Sequence, residues 1–345
     1  MRTSTCCESV TFKKTKVEES MLGYIGRKTI QLISLLIGVA IISFTLVSLS
    51  PIDPVRAYIG DDMTRMSAEQ RLQIAQRWGS GQPAPTRFLK WLGQIAQGNL
   101  GDSLIFNKPV IDVIGERFTR SLWLMGMAWL LSGIFGYCLG IIAGAWKGSA
   151  LDRAIRFYAY TLASTPAFWL GMLLLIVFSV KLQVTPVCCA APPGKPAAEV
   201  SLWEWIHHLI LPAATLSIIG IANVALHTRQ KLIDVLHSDY ALFARAQGET
   251  TWGIICHHGL RNISLPALTL QFASFSELFG GAVLAEQVFS YPGLGQTVIQ
   301  AGLRSDVPLL LGVVLFSAIF VFTGNTLADL SYRVVDPRIR IGGRT

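Results

Sequence analysis

Six apolar runs dominate the chain: Thr29 to Leu49, Ser121 to Ala145, Phe157 to Val180, Leu209 to His227, Ile263 to Phe289 and Pro308 to Ser331. Each holds about 19 to 27 residues, enough as a helix to cross a ~30 Å hydrocarbon core at ~1.5 Å per residue. A segment that crosses lipid alone must satisfy its own backbone hydrogen bonds, so each run is read as a helix. Buried helices of a soluble protein are the competing explanation. Composition argues against it: only 14% of the 345 residues are charged and 52% are hydrophobic, whereas a soluble domain carries about a quarter charged residues. The expected fold is all-α and integral to a membrane, with six spanning helices.

The formal charge of +8 raises the question of nucleic acid, but its placement reads as orientation. With the N-terminus inside, seventeen Lys and Arg residues fall in segments on the cytoplasmic side, among them Lys13, Lys28, Arg153, Arg229, Arg261 and Arg338. The two short outside loops hold three: Lys181, Lys195 and Arg304. That asymmetry is the positive-inside pattern. The first loop, about Ser50 to Arg120, carries nine more, but loops longer than ~60 residues translocate regardless of charge. Both termini are expected in the cytoplasm, and nucleic acid is not an expected partner.

No cleavage pattern follows the first apolar run, so it reads as a spanning helix and not a secretory signal. Met1 to Ser20 looks like a disordered tail, and Met21 is an alternative start. The chain then divides into the first helix with its external region (21–120), a five-helix core (121–340) holding an inside loop at 228–262, and a short tail (341–345). In the external region Met63 to Trp78 and Phe88 to Ile95 have helical spacing, separated by Gln82-Pro83-Ala84-Pro85 and ended by Gly98-Asn99-Leu100-Gly101. This predicts a small external cap after helix one. The prolines between Lys181 and Trp205 forbid regular structure there. In the inside loop, Leu236, Tyr240, Phe243 and Gln247 recur at helical steps, predicting a helix from Asp234 to Ala246 that Gly248 stops.

Of the six cysteines, Cys6, Cys7 and Cys256 are placed inside and Cys138 within a helix. Cys188 and Cys189 face outward, but adjacent residues lie ~3.8 Å apart at Cα, below the usual ~4.4 Å minimum for a bridge. The expectation is no disulfide between them. With His207 and His208 they offer donor types that suit a soft metal, although interfacial histidines need no metal, and no metal site or cofactor is assigned.

Catalytic machinery is not legible. The Gly194-Lys195 pair has Cys189 where a phosphate-cradling loop needs glycine and Pro196 where it needs a hydroxyl. No His-Glu-x-x-His or Gly-x-Ser-x-Gly occurs. A membrane-embedded hydrolase is disfavoured, because Glu277 stands alone at membrane depth while Asp329 lies near the inner end of helix six.

The most informative stretch is Asp239-Tyr240-Ala241-Leu242-Phe243-Ala244-Arg245-Ala246-Gln247-Gly248, with Pro266 eighteen residues after the glycine in Asn262-Ile263-Ser264-Leu265-Pro266. It resembles the cytoplasmic "EAA" loop of binding-protein-dependent ABC importer permeases, in the form used by the dipeptide, oligopeptide and nickel group. Other stretches resemble that family in the same order: Ser50 to Val55 after helix one, Gly98 to Ser103 and Lys108-Pro109-Val110 at the end of the external region, Glu286 with Phe289 to Gly295, and Asp336 to Arg340. Two departures stand out. The Cys188-Cys189 loop matches no family pattern, and the first residue of the EAA triplet is not acidic.

The resemblance implies a transport subunit that is not itself an enzyme. It implies a second homologous permease, two ATP-binding subunits and an extracytoplasmic substrate-binding protein as partners, in a cell inner membrane. It implies that Asp239, Tyr240, Ala244, Arg245, Ala246, Gly248 and Pro266 belong to a coupling helix and loop that dock on an ATPase and drive alternating access. Glu277 is the candidate for the translocation pathway, because a carboxylate at that depth must face a cavity or a partner. Pairing with the second permease is the other explanation. The cargo is left between short peptides and nickel or a metal chelate. A stand-alone secondary transporter or channel is the alternative function class.

Overall fold

The structure is a computed structural model that describes residues 21–49, 83–192, 194–195 and 199–335. The expectations for the tail 1–20, for Ser50 to Val55, for Met63 to Trp78 and for Asp336 to Arg340 fall outside those residues. The described residues form α1 (Met21–Leu49), α2 (Ala84–Ala96), a two-strand hairpin of β1 (Asp102–Ser103) and β2 (Lys108–Pro109), α3 (Val110–Ala145), α4 (Ala150–Ala163) and α5 (Ala167–Leu174). They continue with α6 (Leu202–Leu236), α7 (Asp239–Ala246), α8 (Thr251–Ile254), α9 (Leu260–Ala273), α10 (Phe275–Val288), α11 (Leu294–Leu303) and α12 (Val307–Val335).

Among the described residues, four helices are long and apolar enough to cross a membrane unbroken, namely α1, α3, α6 and α12, and two bent pairs qualify if each counts as one span. The third apolar run is therefore not the straight helix that hydropathy predicts. It breaks between α4 and α5 by 109°, where Pro166 lacks the N–H needed to continue the ladder of α4. The fifth run bends by 49° between α9 and α10. Ser274 sits there at ψ 0°, and its hydroxyl turns back to donate to the Gln271 carbonyl at 3.0 Å. Two other boundaries also moved. The second and fourth spans begin earlier than their apolar cores, at Val110 and Leu202; for α6, Ser201 and Glu204 form a capping box that starts the helix in polar sequence.

The centre of the molecule is the α3–α6 pair. Gly136, Gly140 and Gly144 recur every fourth residue on α3 and lie against Val224, Thr228 and Leu232 at the same spacing on α6. A Cβ at these glycines would stand 2.7 Å from Val224 Cβ, 2.5 Å from Thr228 Cβ and 2.9 Å from Leu232 Cδ2. Only hydrogen fits. In lipid, where apolar side chains gain nothing from leaving water, such backbone approach supplies the packing contacts that hold helices together. The best apolar window of α6 is 61% buried while that of α1 is 6% buried. So α6 is the axis of the bundle and α1 a peripheral strap on α12, joined by the Lys28–Asp329 ion pair at 2.8 Å.

Two buried carboxylates organise the end of the bundle away from α7. Asp306 accepts from Ser103 Oγ at 2.7 Å and from the backbone N–H groups of Leu104 and Ile105 at 2.8 and 3.0 Å, so the hairpin is pinned to the start of α12. Glu286, at the end of α10, accepts from Ser121 Oγ on α3 at 2.5 Å and from the Gly295 and Gln296 N–H groups at 2.7 and 3.1 Å. Those N–H groups belong to the first turn of α11, which would otherwise be unpaired. Gly293 is required beside them, since a Cβ there would collide with the Glu286 carboxyl.

The loop before α6 corrects one expectation. Cys188 and Cys189 are joined by a disulfide with Cα atoms 3.7 Å apart. The minimum separation invoked above describes bridges between distant residues. Cys189, the second of the pair, takes φ +75°. The Cys189 N–H donates to the Phe289 carbonyl at 3.2 Å, and Ala190 is buried in the core beside Phe289.

Candidate coupling site

The polar end of α6 leads directly into α7. The helix predicted from Asp234 to Ala246 is two helices: α6 ends at Leu236, His237 and Ser238 turn, and α7 runs from Asp239 to Ala246. Its C-terminus is closed as the sequence predicts. Gly248 takes φ +91°, its N–H donates to the Arg245 carbonyl at 2.9 Å, and the Glu249 N–H reaches back to the Ala244 carbonyl at 3.1 Å. Both bonds satisfy carbonyls at the helix end, and they need a left-handed residue that glycine supplies without strain.

Small residues decide which way α7 faces. Ala241 and Ala244 are buried against Leu232, Val235, Leu236, Ile254, Ile255 and Ile263. This leaves Tyr240, Leu242 and Phe243 exposed at 43%, 53% and 65%, with Arg245, Ala246 and Gln247 exposed beside them. The short helix is thus mounted on the end of α6 with an apolar, lightly charged face outward. Tyr240 is held in place by Asn262, whose Nδ2 donates to the phenol oxygen at 3.1 Å and to the His258 carbonyl at 3.0 Å.

Among the residues singled out from sequence, Asp239, Tyr240, Arg245, Ala246 and Gly248 lie on this exposed element. Ala244 does not. It is 5% exposed and seats α7 on its own chain. Pro266 is inside α9, one turn beyond Asn262, and is not part of the surface of α7.

Sequence reading missed the brace behind this site. Asp152, fully buried at the start of α4, accepts two bonds from Arg229 of α6 and one from the Gly148 N–H at 2.8 Å. Ser149 caps the same helix by accepting from the Asp152 N–H at 3.1 Å. The pattern Ser-x-x-Asp before an apolar run is a legible cap signature, but the partner on α6, far along the chain, is not. Trp146 and Trp252 meet edge to face at 5.7 Å beside this brace.

Glu277 lies in the first turn of α10, three residues past the bend, with its side chain exposed. No hydrogen bond or ion pair reaches it among the described residues. Next to it the Ser276 hydroxyl donates to Asn325 Oδ1 on α12. The histidines of the outer loop are engaged with backbone: His207 Nε2 is 2.8 Å from the Val184 carbonyl, and His208 Nδ1 is 2.8 Å from the Glu204 carbonyl. Among the described residues no group of three or more His, Cys, Asp or Glu side chains is placed to hold a metal ion.

Comparison with known proteins adds a family to this geometry. Residues 136–341 match the family described as "Binding-protein-dependent transport system inner membrane component". The chain is 33% identical over 320 residues to the oligopeptide transport system permease protein AppB of Bacillus subtilis (strain 168), covering 92% of this chain and 99% of that protein. It is 34% identical over 335 residues to the di/tripeptide transport system permease protein DppB of Pseudomonas aeruginosa (strain UCBPP-PA14), covering 93% and 99%. Its fold is similar to that of a chain in the inward-facing MetNI methionine ABC transporter, with a TM-score of 0.51 at 16% identity over 66% of this chain and 97% of that one.

Proposed function

The chain belongs to the binding-protein-dependent transport system inner membrane components, the permease subunits of ABC importers, and from that premise we propose that it passes short peptides into the cytoplasm. Energy comes from two separate ATP-binding subunits, a second permease completes the path, and a binding protein delivers cargo to the outer face. The observation that carries the coupling part is α7 itself. Ala241 and Ala244 fix it rigidly to α6 and turn Tyr240, Leu242 and Phe243 out, the form of an amphipathic helix that inserts in a partner's groove. Movement of that partner is passed to α6, the most buried span, and through Arg229 and Asp152 to α4.

On this reading α7 and both termini are cytoplasmic, in keeping with the positive-inside pattern. Peptide cargo is favoured because both relatives are named for peptides. The exposed carboxylate of Glu277 also suits a cation or nickel chelate, so the test carries both cargoes. Uptake of a labelled dipeptide and of labelled nickel is compared in cells with and without the gene, before and after ATP depletion. ATP-dependent loss of dipeptide uptake alone is the expected result. Loss of nickel uptake alone would replace the cargo, and uptake that survives ATP depletion would overturn the importer mechanism.

A further inference from the structure

Several hydroxyl groups in the spans are satisfied by their own helices: Thr323 donates to the Ile319 carbonyl at 2.7 Å and Thr326 to the Phe322 carbonyl at 2.8 Å. Three larger polar groups on α6 and α10 are not. Asn223, His227 and Glu277 are exposed, and no hydrogen bond or ion pair reaches their side chains among the described residues. An amide, an imidazole and a carboxylate left bare in spanning helices are costly against lipid and mark a wet or partnered face.

Their positions are related. Leu216 of α6 packs on α10 at Gly281, where an added Cβ would lie 3.2 Å from Leu216 Cδ2. Asn223 and His227 follow Leu216 by seven and eleven residues, which returns each to the same stripe of the helix within about 20° at 3.6 residues per turn. Glu277 precedes Gly281 by one turn and shares its face. The two helices run antiparallel, since Leu232, further along α6, lies against Gly259, earlier in the chain than Gly281.

Moving from the Leu216–Gly281 contact towards α7, Glu277 therefore comes at a depth of about 6 Å, Asn223 at about 10 Å and His227 at about 16 Å, using 1.5 Å per residue. Beyond the bend at Ser274, α9 is also tied to α3, where Gln271 Nε2 donates to the Trp129 carbonyl at 2.6 Å and to Ser132 Oγ at 3.0 Å, and Trp129 Nε1 donates to the Gln271 carbonyl at 2.9 Å.

We propose that Glu277, Asn223 and His227 form a polar ladder along the translocation path that receives a zwitterionic di- or tripeptide. Glu277 takes the terminal ammonium, Asn223 the backbone amide and His227 the terminal carboxylate. The fit is one of length, with hydrogen-bonding groups at each end: carboxylate and imidazole are about 10 Å apart in depth, the span of about three extended residues at ~3.4 Å each. This rests on the peptide reading given above.

The test uses the full complex in proteoliposomes with its binding protein and ATP. Glu277→Gln and Asn223→Leu are each expected to lower the maximal rate of dipeptide transport about tenfold, as the loss of one charge-assisted or buried hydrogen bond predicts. The half-saturating peptide concentration, set by the binding protein, stays unchanged, as does co-purification of the subunits. In a cysteine-free background, a charged, membrane-impermeant thiol reagent should modify the Asn223→Cys and His227→Cys variants, and turnover of dipeptide should slow that reaction. The lipid-facing Ile42→Cys variant should resist it. Wild-type transport in both substituted complexes, or labelling indifferent to peptide, would overturn the ladder. So would loss of subunit assembly in each variant, which would make the stripe a contact between permeases. A wild-type complex that moves another cargo but no dipeptide would overturn the cargo reading first, and the peptide ladder with it.

Discussion

Arg229 closes on Asp152 like a fork, with Nε 2.6 Å from Oδ1 and Nη2 2.9 Å from Oδ2, and so joins the start of α4 to α6 about two turns before α6 ends. Asp152 is fully buried and the Arg229 side chain is 13% exposed. Arg156 stands 3.4 Å from the same Oδ1. Removing one partner of such a pair costs about 3–5 kcal/mol, chiefly by stranding the other charge. Asp152→Ala is expected to lower the thermal midpoint of the detergent-solubilised complex and to weaken transport. Arg229→Lys should lower that midpoint as well, because a single ammonium cannot reproduce the planar fork. Full stability in either variant would show that the brace is ornamental.

Gly248 supplies a second expectation. Its φ of +91° is needed for the closing bonds of α7, and no atom lies within 4 Å of a Cβ built there. Gly248→Val thus tests backbone conformation and not space, at a cost of about 1–3 kcal/mol for a β-branched residue held left-handed. Membrane insertion should be intact. ATP hydrolysis should lose its link to transport, seen as a fall in peptide moved per ATP consumed.

The α3–α6 seam is a third. Gly140→Leu places a side chain where the Thr228 Cβ already stands 2.5 Å from the added Cβ, so the helices must part and the protein should fail to accumulate in membranes. Gly126→Ala on the same helix meets nothing within 4 Å and should be neutral or slightly stabilising, as alanine favours helix over glycine by about 1 kcal/mol. Equal yields of the two variants would contradict the packing described.

Glu286 gives a fourth. Glu286→Ala leaves the Gly295 and Gln296 N–H groups and the Ser121 hydroxyl without their acceptor, each worth about 1–3 kcal/mol when buried and unpaired. Local opening of α11 should follow, read as faster hydrogen exchange over Leu294 to Leu303. Unchanged protection there would show that α11 is held from elsewhere.

Long apolar runs and polar turn chemistry were legible in the sequence because they are local. The spans, the stop at Gly248 and the short helix around Phe88 all follow from residues within a few positions of one another. What escaped was set at a distance. Pro166 is visible in the sequence, but the 109° elbow needs Pro166 together with the packing of α5 on α6. The two roles of alanine in α7, seating the helix where it is buried and shaping the outer face where it is not, depend on Leu232 and Ile254, which no spacing reveals. Glu286 could be placed in a motif but not given its acceptors' role, since Ser121 lies on another span. The disulfide was missed for a different reason: a distance rule for separated cysteines was applied to neighbours.

The outward face of α7 is the most direct place to test the whole account. In proteoliposomes holding the permeases, the ATP-binding subunits and the binding protein, ATP hydrolysis and labelled dipeptide uptake are measured together for wild type and Phe243→Asp. The ring is 65% exposed and makes no aromatic contact among the described residues, so the variant should insert and fold as the wild type does. Uptake should be lost together with retention of the ATP-binding subunits on the complex. Wild-type uptake and wild-type subunit retention in Phe243→Asp would contradict the assignment of α7 as the docking element.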